Sequence, residues 1–587
     1  MNREIFSRRE VCMLSAATAA LTFMSRADAR GASPPSADSS AVPPLLRRFI
    51  ADYMQAMNAP GLTLAIAGRQ GAPVTGCYGF VDLAAKTPVL PTHRFEIGSI
   101  SKSFTALVIL QLQDEGRLDV GHPILKYLPW LPIETDYGDI LIHHLLTHSS
   151  GMPADAPAVP AEPGARVRQT FEPGSQFHYS NWGFEVLGRL IEKLDGRPWH
   201  AALTSRILAP LGMSDTAPVI SSPGRARIAQ SYVPQLDDRP FPRHGALVPA
   251  GNLTFQLASG SVASTPHDMG RYMQMLLNRG EGTSGRLVSQ SAFKSFSTPH
   301  IVAPDFGPEV SYGYGIAVDQ LDGHTRLRHT GGMVSFMSAI QLDLDAGVGA
   351  FASINAQLGY RPNPVAQYAL RLMQVGAGRK APTPPPADEA AVIANAPDYA
   401  GSYRAPDGRT LEVIAEHGQL TLMADGASIA MQAVKEDQFI AKHERFALFP
   451  LLFGRAPASA STSTSTSAGA PAERAAVVEL AYGPVWYGHA RYDGNRNAAA
   501  APELEPFVGK YYSENPWIGT VRIVQRRGQL WMDGVTPLAR LGGDLFRLVE
   551  GPSSPETAEF RQVIDAKAQI LSLGGNLLHR ISAEEEI

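Results

Sequence analysis

The chain has 587 residues, 44% of them apolar and 18% charged, with a formal net charge of −4. That composition excludes a disordered chain and a protein built mainly of membrane spans. The balance of charge, with no basic stripe carrying interleaved aromatics, gives no footing for nucleic acid or an anionic membrane.

At the start, Ser7-Arg8-Arg9-Glu10-Val11 leads into the apolar run Val11–Met24, followed by Ala27-Asp28-Ala29. A basic start, an apolar stretch too short to span comfortably and a small-x-small site predict a secretory signal over 1–29, with an uncleaved anchor as the alternative. Paired arginines directly before the apolar run are the twin-arginine variety, which predicts a periplasmic or secreted protein with no stable membrane span after cleavage. The two cysteines are Cys12, inside the signal, and Cys77, so no disulfide within the mature chain is expected. Residues 30–43, rich in Pro, Ser and Ala, read as a tether.

Residues 44–376 carry dense apolar patterning and form the first large domain. Gly61–Ala67 and Val74–Phe80 read as paired strands. Ser101 to about Gly116 reads as a largely buried helix, with Gly116 to end it. His144 and His148 stand four apart on an expected helix. Thr265-Pro266-His267-Asp268 is a capping sequence that opens a helix running to about Leu277. Gly313–Val318, Arg326–His329, Phe336–Asp343 and Val348–Asn355 read as antiparallel strands, with Asp322-Gly323 as a turn. Strands at both extremes with helices between predict one mixed sheet with a helical region inserted.

A Pro-rich linker is expected at 377–391. Beyond it, short alternating runs such as Thr410–Ala415 and Gln419–Met423 are strand signals separated by glycines. The pattern occurs twice. Tyr399-Ala400-Gly401-Ser402-Tyr403 matches Phe507-Val508-Gly509-Lys510-Tyr511, Gly418-Gln419-Leu420 matches Gly528-Gln529-Leu530, and Phe439 answers Phe546. Two small all-β barrels are predicted, 392–494 and 507–587, joined by a linker at 495–506. The Ser/Thr-rich stretch 456–472 cannot pack a core and reads as an inserted disordered loop.

The chemistry centres on Ser99-Ile100-Ser101-Lys102. Residues three apart on a helix face the same way, which brings Lys102 within reach of the Ser99 hydroxyl. A serine hydroxyl is a poor nucleophile without a base beside it, and a buried lysine held neutral can take its proton. Ser-x-x-Lys alone recurs by chance. Here Tyr179-Ser180-Asn181 follows the turn signal Pro173-Gly174, and His329-Thr330-Gly331-Gly332 lies on an expected strand near the end of the domain.

On these three elements, in this order, residues 45–375 resemble the serine β-lactamase and penicillin-binding protein superfamily, in its AmpC-like and D-aminopeptidase- or esterase-like branch. Phe95–Phe104, Leu145-Leu146-Thr147-His148-Ser149-Ser150-Gly151 and Phe171-Glu172-Pro173-Gly174 add to the likeness. The resemblance implies an α/β fold, an antiparallel sheet flanked by helices with a helical subdomain, followed by lipocalin-like barrels. It implies Ser99 as nucleophile, Lys102 sharing its proton, and Tyr179 as general base or proton relay. Asn181 would hold Lys102 and the substrate amide. The N–H groups of Ser99 and Gly332 would form an oxyanion hole, with His329, Thr330 and Gly331 on the strand that flanks the substrate. His329 departs from the lysine usual in β-lactamases and would bind a substrate carboxylate less well.

The expected function is an exported serine hydrolase acting through an acyl-enzyme on small esters, amides or peptides, including ones with D-amino acids. A D-stereospecific aminopeptidase and a penicillin-binding or wall-associated module with little turnover are the alternatives. No cofactor is implied. His144 and His148 lack the Glu of His-Glu-x-x-His and a third ligand, so no metal is expected. With no Gly-x-Ser-x-Gly elbow, an α/β-hydrolase is excluded.

Overall fold

The computed structural model describes residues 39–155, 166–221, 224–236, 238–240, 245–251, 253–357, 362–375, 380–387, 393, 395–456, 474–498, 501–549 and 554–581. The expected signal, most of the tether and nearly all of the Ser/Thr-rich insertion lie outside these residues.

The first domain is built on a nine-stranded sheet. Helix α1 (Pro44–Met57) precedes strands β1 (Gly61–Gly68), β2 (Val74–Asp82) and β3 (Thr87–Pro88). Helices α2 (Ser101–Asp114), α3 (Asn181–Asp195) and α4 (Pro266–Leu277) follow. The chain then returns to the sheet through β4 (Ile301–Val302), β5 (Ser311–Tyr312), β6 (Ala317–Leu321), β7 (His324–Met333), β8 (Phe336–Asp343) and β9 (Val348–Ile354), and ends in α5 (Asn363–Val375). The spatial order is β4-β5-β6-β7-β8-β9-β1-β2-β3, so the two ends of the domain meet where β9 pairs with β1. Every pairing in this sheet is antiparallel, which corrects the expectation of a mixed sheet.

Strand periodicity sorts β1 between two cores. Leu62, Leu64 and Ile66 pack toward α1 and α5, while Ala65 and Ala67 face the core that holds α2 and α4. Helix α2 is buried from Ser101 to Leu110, as its apolar run on all sides requires. Helix α4 starts as its sequence dictates: the Thr265 side chain accepts from the Asp268 N–H, with Pro266 at the first helical position. The predicted strand Gly313–Val318 is interrupted. Gly315, at φ +70°, turns the chain between β5 and β6, and the Gly313 N–H closes the turn on the Ile316 carbonyl at 2.8 Å.

Beyond α5 stand two closed eight-stranded barrels, spanning Gly401–His489 and Gly509–Arg580. Their repeat is structural as well as sequential. The third strands, Gln419–Ala424 and Gln529–Met532, each follow a turn with two positive-φ residues, His417-Gly418 and Arg527-Gly528. Tyr403 donates its hydroxyl to the Tyr399 carbonyl at 2.7 Å, and Tyr511 does the same to Phe507 at 2.9 Å. Phe439 and Phe546 both sit on the fifth strand, packed against Tyr399 and Phe453 in one barrel and Phe507 and Phe560 in the other. These rings belong to the buried apolar cluster of each barrel. Among the described residues, no helix is long and apolar enough to cross a membrane.

Candidate active site

The turn of helix Gly98–Ile100 delivers Ser99 to the N-terminus of α2, and Lys102 lies one turn further on. Gly98 takes φ +54°, and a Cβ there would lie 2.6 Å from the Gly332 nitrogen. A Cβ on Gly331 would overlap the Ile97 carbonyl oxygen. The ladder from β6 to β7 ends at Arg328, and beyond it β7 lays the edge of Gly331-Gly332 against the serine turn. Two glycines are therefore required for strand and turn to approach this closely.

Lys102 is fully buried, and its Nζ has three polar neighbours: Asn181 Oδ1 at 2.5 Å, the Ser259 carbonyl at 3.0 Å and Ser99 Oγ at 3.0 Å. A neutral amine carries two N–H donors and one lone pair. The two carbonyl-type oxygens can only accept, so they take both donors and leave the lone pair for the Ser99 hydroxyl. Burial lowers the Lys102 pKa to about 7, against the opposing pull of Asp155 and Glu185. Near neutral pH the amine is thus divided between its two forms.

Tyr179 is half-buried, with its hydroxyl shielded from solvent. Its ring lies 4.8 Å from Lys102 Nζ, and its hydroxyl meets the Ser99 side chain without a hydrogen bond of good geometry. Burial pushes its ionisation well above the usual range, weakly opposed by the Ser99 hydroxyl. The phenol is neutral while Lys102 titrates.

His329 is 3% exposed and both ring nitrogens are engaged. The Thr330 carbonyl lies 2.5 Å from Nδ1 and can only accept, so Nδ1 carries the proton. Nε2 then accepts from the Tyr312 hydroxyl at 2.8 Å. Burial, with the Lys102 cation nearby, lowers the His329 pKa to about 3, so the ring offers a substrate no positive charge. Thr330 contributes its backbone.

Helix α3 places Asn181 at its first turn, where Ser180 caps the helix by accepting from the Gly183 N–H at 3.2 Å. The Asn181 amide nitrogen donates to Asp155 Oδ1 at 2.7 Å. One turn further along α3, half-buried Glu185 accepts from the N–H groups of Ala258 and Ser259, at 3.3 and 3.0 Å, and so fixes the carbonyl that Lys102 uses. Glu185 stands four residues after Asn181, a helical spacing that sequence reading could have used. Asp155, Ser259 and Tyr312 carried no such signal.

His148 corrects the expected helix. Helical structure covers Ile142–Leu146, and His148 takes φ +56° in the turn that follows. Its Nδ1 accepts from the Ser180 N–H at 3.0 Å, and its ring packs on Tyr179 and Tyr312, behind the site. Among the described residues no group of three or more His, Cys, Asp and Glu side chains is placed to hold a metal.

The family model described as Beta-lactamase matches residues 46–375. Protein Rv1367c of Mycobacterium tuberculosis is 27% identical over 257 residues, covering 38% of this chain and 63% of that protein. Protein flp of Staphylococcus aureus is 28% identical over 184 residues, covering 29% of this chain and 37% of that protein. The chain thus spans less than two thirds of the length of these curated relatives. The octameric penicillin-binding protein homologue from Pyrococcus abyssi shares the fold at a TM-score of 0.52 and 24% identity, over 76% of this chain and 99% of its own. A D-stereospecific amidohydrolase from Streptomyces sp. is similar at a TM-score of 0.44 and 26% identity, over 54% of this chain and 98% of its own.

Proposed function

Because the chain belongs to the Beta-lactamase family, we propose that it is an exported serine hydrolase that forms an acyl-enzyme at Ser99 and acts on small esters or amides, peptides with D-amino acids among them. The observation that carries this reading is the buried Lys102 amine, 3.0 Å from Ser99 Oγ, with both of its neutral-form donors already taken by carbonyl oxygens.

Lys102 accepts the Ser99 proton as Oγ bonds to the substrate carbonyl carbon. The oxygen that gains charge lies between the N–H groups of Ser99 and Gly332. As the tetrahedral intermediate collapses, the bond to the leaving group breaks and the proton passes to it by way of Tyr179. Water then attacks the Ser99 ester along the same route, releasing the acid and returning the proton to the serine. The neutral, tethered His329 favours substrates without a carboxylate at that position, and disfavours efficient penicillin hydrolysis. Export rests on the twin-arginine-type start of the sequence.

A second reading has one observation in its favour. The exposed Asp155 carboxylate, held on Asn181 at 2.7 Å, offers a negative charge at the mouth of the site, which suits an aminopeptidase substrate with a free amine. Hydrolysis of a short-chain p-nitrophenyl ester and of D-alanine p-nitroanilide separates the two, with Ser99→Ala as control. Ester turnover lost in the variant, with little anilide activity, supports the esterase-like reading. Efficient anilide turnover selects the aminopeptidase. No turnover of either by folded protein refutes both and favours a binding module.

A further inference from the structure

The second barrel reaches the hydrolase site through two side chains that meet one dipeptide. Glu556, on the approach to the barrel's sixth strand (Thr557–Ile564), accepts from the Ala154 N–H at 2.7 Å and pairs with His178 Nε2 at 2.9 Å. Asn576, at the start of the eighth strand (Asn576–Arg580), donates its side-chain amide to the Asp155 carbonyl at 2.6 Å. Ala154 and Asp155 are the residues that hold Asn181. The Ala154 carbonyl accepts from the N–H groups of Asn181 and Trp182, at 2.8 and 3.1 Å, and Asp155 Oδ1 takes the Asn181 side chain. Asn181 Oδ1 in turn holds Lys102 Nζ. His178 immediately precedes Tyr179.

The barrel makes further contacts with the first domain. Lys510 and Arg522 converge on Asp238 of the first domain, at 3.2 and 2.6 Å. Burial would raise the Asp238 pKa, but Arg239, Arg522 and Lys510 together bring it down to about 2. Trp517 packs on Phe255. Glu556 and His178 are shielded at 17% and 19% side-chain exposure, where a hydrogen bond to a carboxylate is worth more than at an open surface.

We propose that Glu556 and Asn576 are positioning residues of the hydrolase site, so that the site is complete only when the second barrel is docked. They fix Ala154-Asp155, and through it the orientation of Asn181 and the carboxylate that biases Lys102. The proposal rests on the hydrolase reading given above, and its test has one readout that does not.

Full-length Glu556→Ala, Asn576→Ala and the double variant are compared with wild type and with Glu556→Gln, which keeps an acceptor for Ala154 and His178. The first readout is hydrogen–deuterium exchange. Amides of Ala154, Asn181 and Trp182 should exchange roughly tenfold or more faster in the double variant and near the wild-type rate in Glu556→Gln. The second is ester hydrolysis. We expect kcat to fall roughly ten- to hundredfold in the double variant with KM changed less, the acidic limb of the pH–rate profile to move to lower pH, and Glu556→Gln to recover the rate. Unchanged exchange at these amides overturns the proposal, as does faster exchange with kcat and pH profile unaltered. Faster exchange in a protein whose wild type hydrolyses nothing upholds the positioning and refutes the hydrolase reading.

Discussion

Removing the charge at Asp155 while keeping its hydrogen bond tests the electrostatics of the site. In Asp155→Asn the new side-chain oxygen still accepts from Asn181, and the negative charge is gone. That charge favours the Lys102 cation, so its loss lowers the Lys102 pKa. One amide bridges Lys102 Nζ and Asp155 Oδ1, with contacts of 2.5 and 2.7 Å. The charges are therefore roughly 7 Å apart. Asp155 is exposed, so the effective dielectric lies between about 20 and that of water. The pair is then worth about 0.6–2.4 kcal/mol, or roughly 0.4 to 1.8 pKa units. With a Lys102 pKa of about 7, the wild-type amine is roughly a tenth neutral at pH 6 and about nine tenths neutral at pH 8. The acidic limb of kcat/KM should follow that curve and shift to lower pH by the stated amount in Asp155→Asn. Higher salt should narrow the difference. Ester hydrolysis read at the isosbestic wavelength of p-nitrophenol measures it. A limb that stays put, or moves to higher pH, refutes the assignment of that limb to Lys102.

Tyr179→Phe should lower kcat by about 10²–10⁴-fold, the usual range for a lost proton-transfer group, and leave the acidic limb near pH 7, because Lys102 sets it. Gly331→Ala should reduce activity sharply, since the added Cβ overlaps the Ile97 carbonyl and drives β7 from the serine turn; overpacking of this kind costs about 1–3 kcal/mol, read as a lower Tm. Glu96 is 3% exposed, and burial raises its pKa from 4.5 to about 7 against the Arg225 guanidinium. Its folded-state pKa is raised, so its stabilisation is complete below about pH 4.5 and is lost as the pH rises through about 7. Glu96→Gln, which cannot ionise, should therefore gain in Tm relative to wild type between pH 5 and pH 8, by an effect on the order of 3 kcal/mol at most. A gain that shrinks with rising pH would contradict the sign.

What the sequence made legible follows from local rules. The Ser99–Lys102 spacing, the cap at Thr265 and the strand Phe336–Asp343 each depend on neighbours a few residues away, and the structure has all three. The barrel repeat was readable because Tyr403 and Tyr511 each tie back to the residue four before them. The surroundings of Lys102 were less so. The Ser259 carbonyl arrives from 157 residues away and has no side-chain signature. Tyr312, whose hydroxyl donates to His329 Nε2, comes from a separate short strand. Glu556 lies 402 residues from the backbone it holds. His148 misled because Leu141, Ile142, Leu145 and Leu146 keep helical apolar spacing just before it, while its ring instead anchors the Ser180 N–H from a left-handed turn.

The central claim, a covalent acyl-enzyme on Ser99, is tested most directly by intact-protein mass spectrometry with peptide mapping after brief exposure to an activated ester or a penicillin. The account predicts a mass gain equal to the acyl group, mapped to the peptide containing Ser99 and absent from Ser99→Ala along with turnover. Turnover that persists in Ser99→Ala, or an adduct on any other residue, would contradict it.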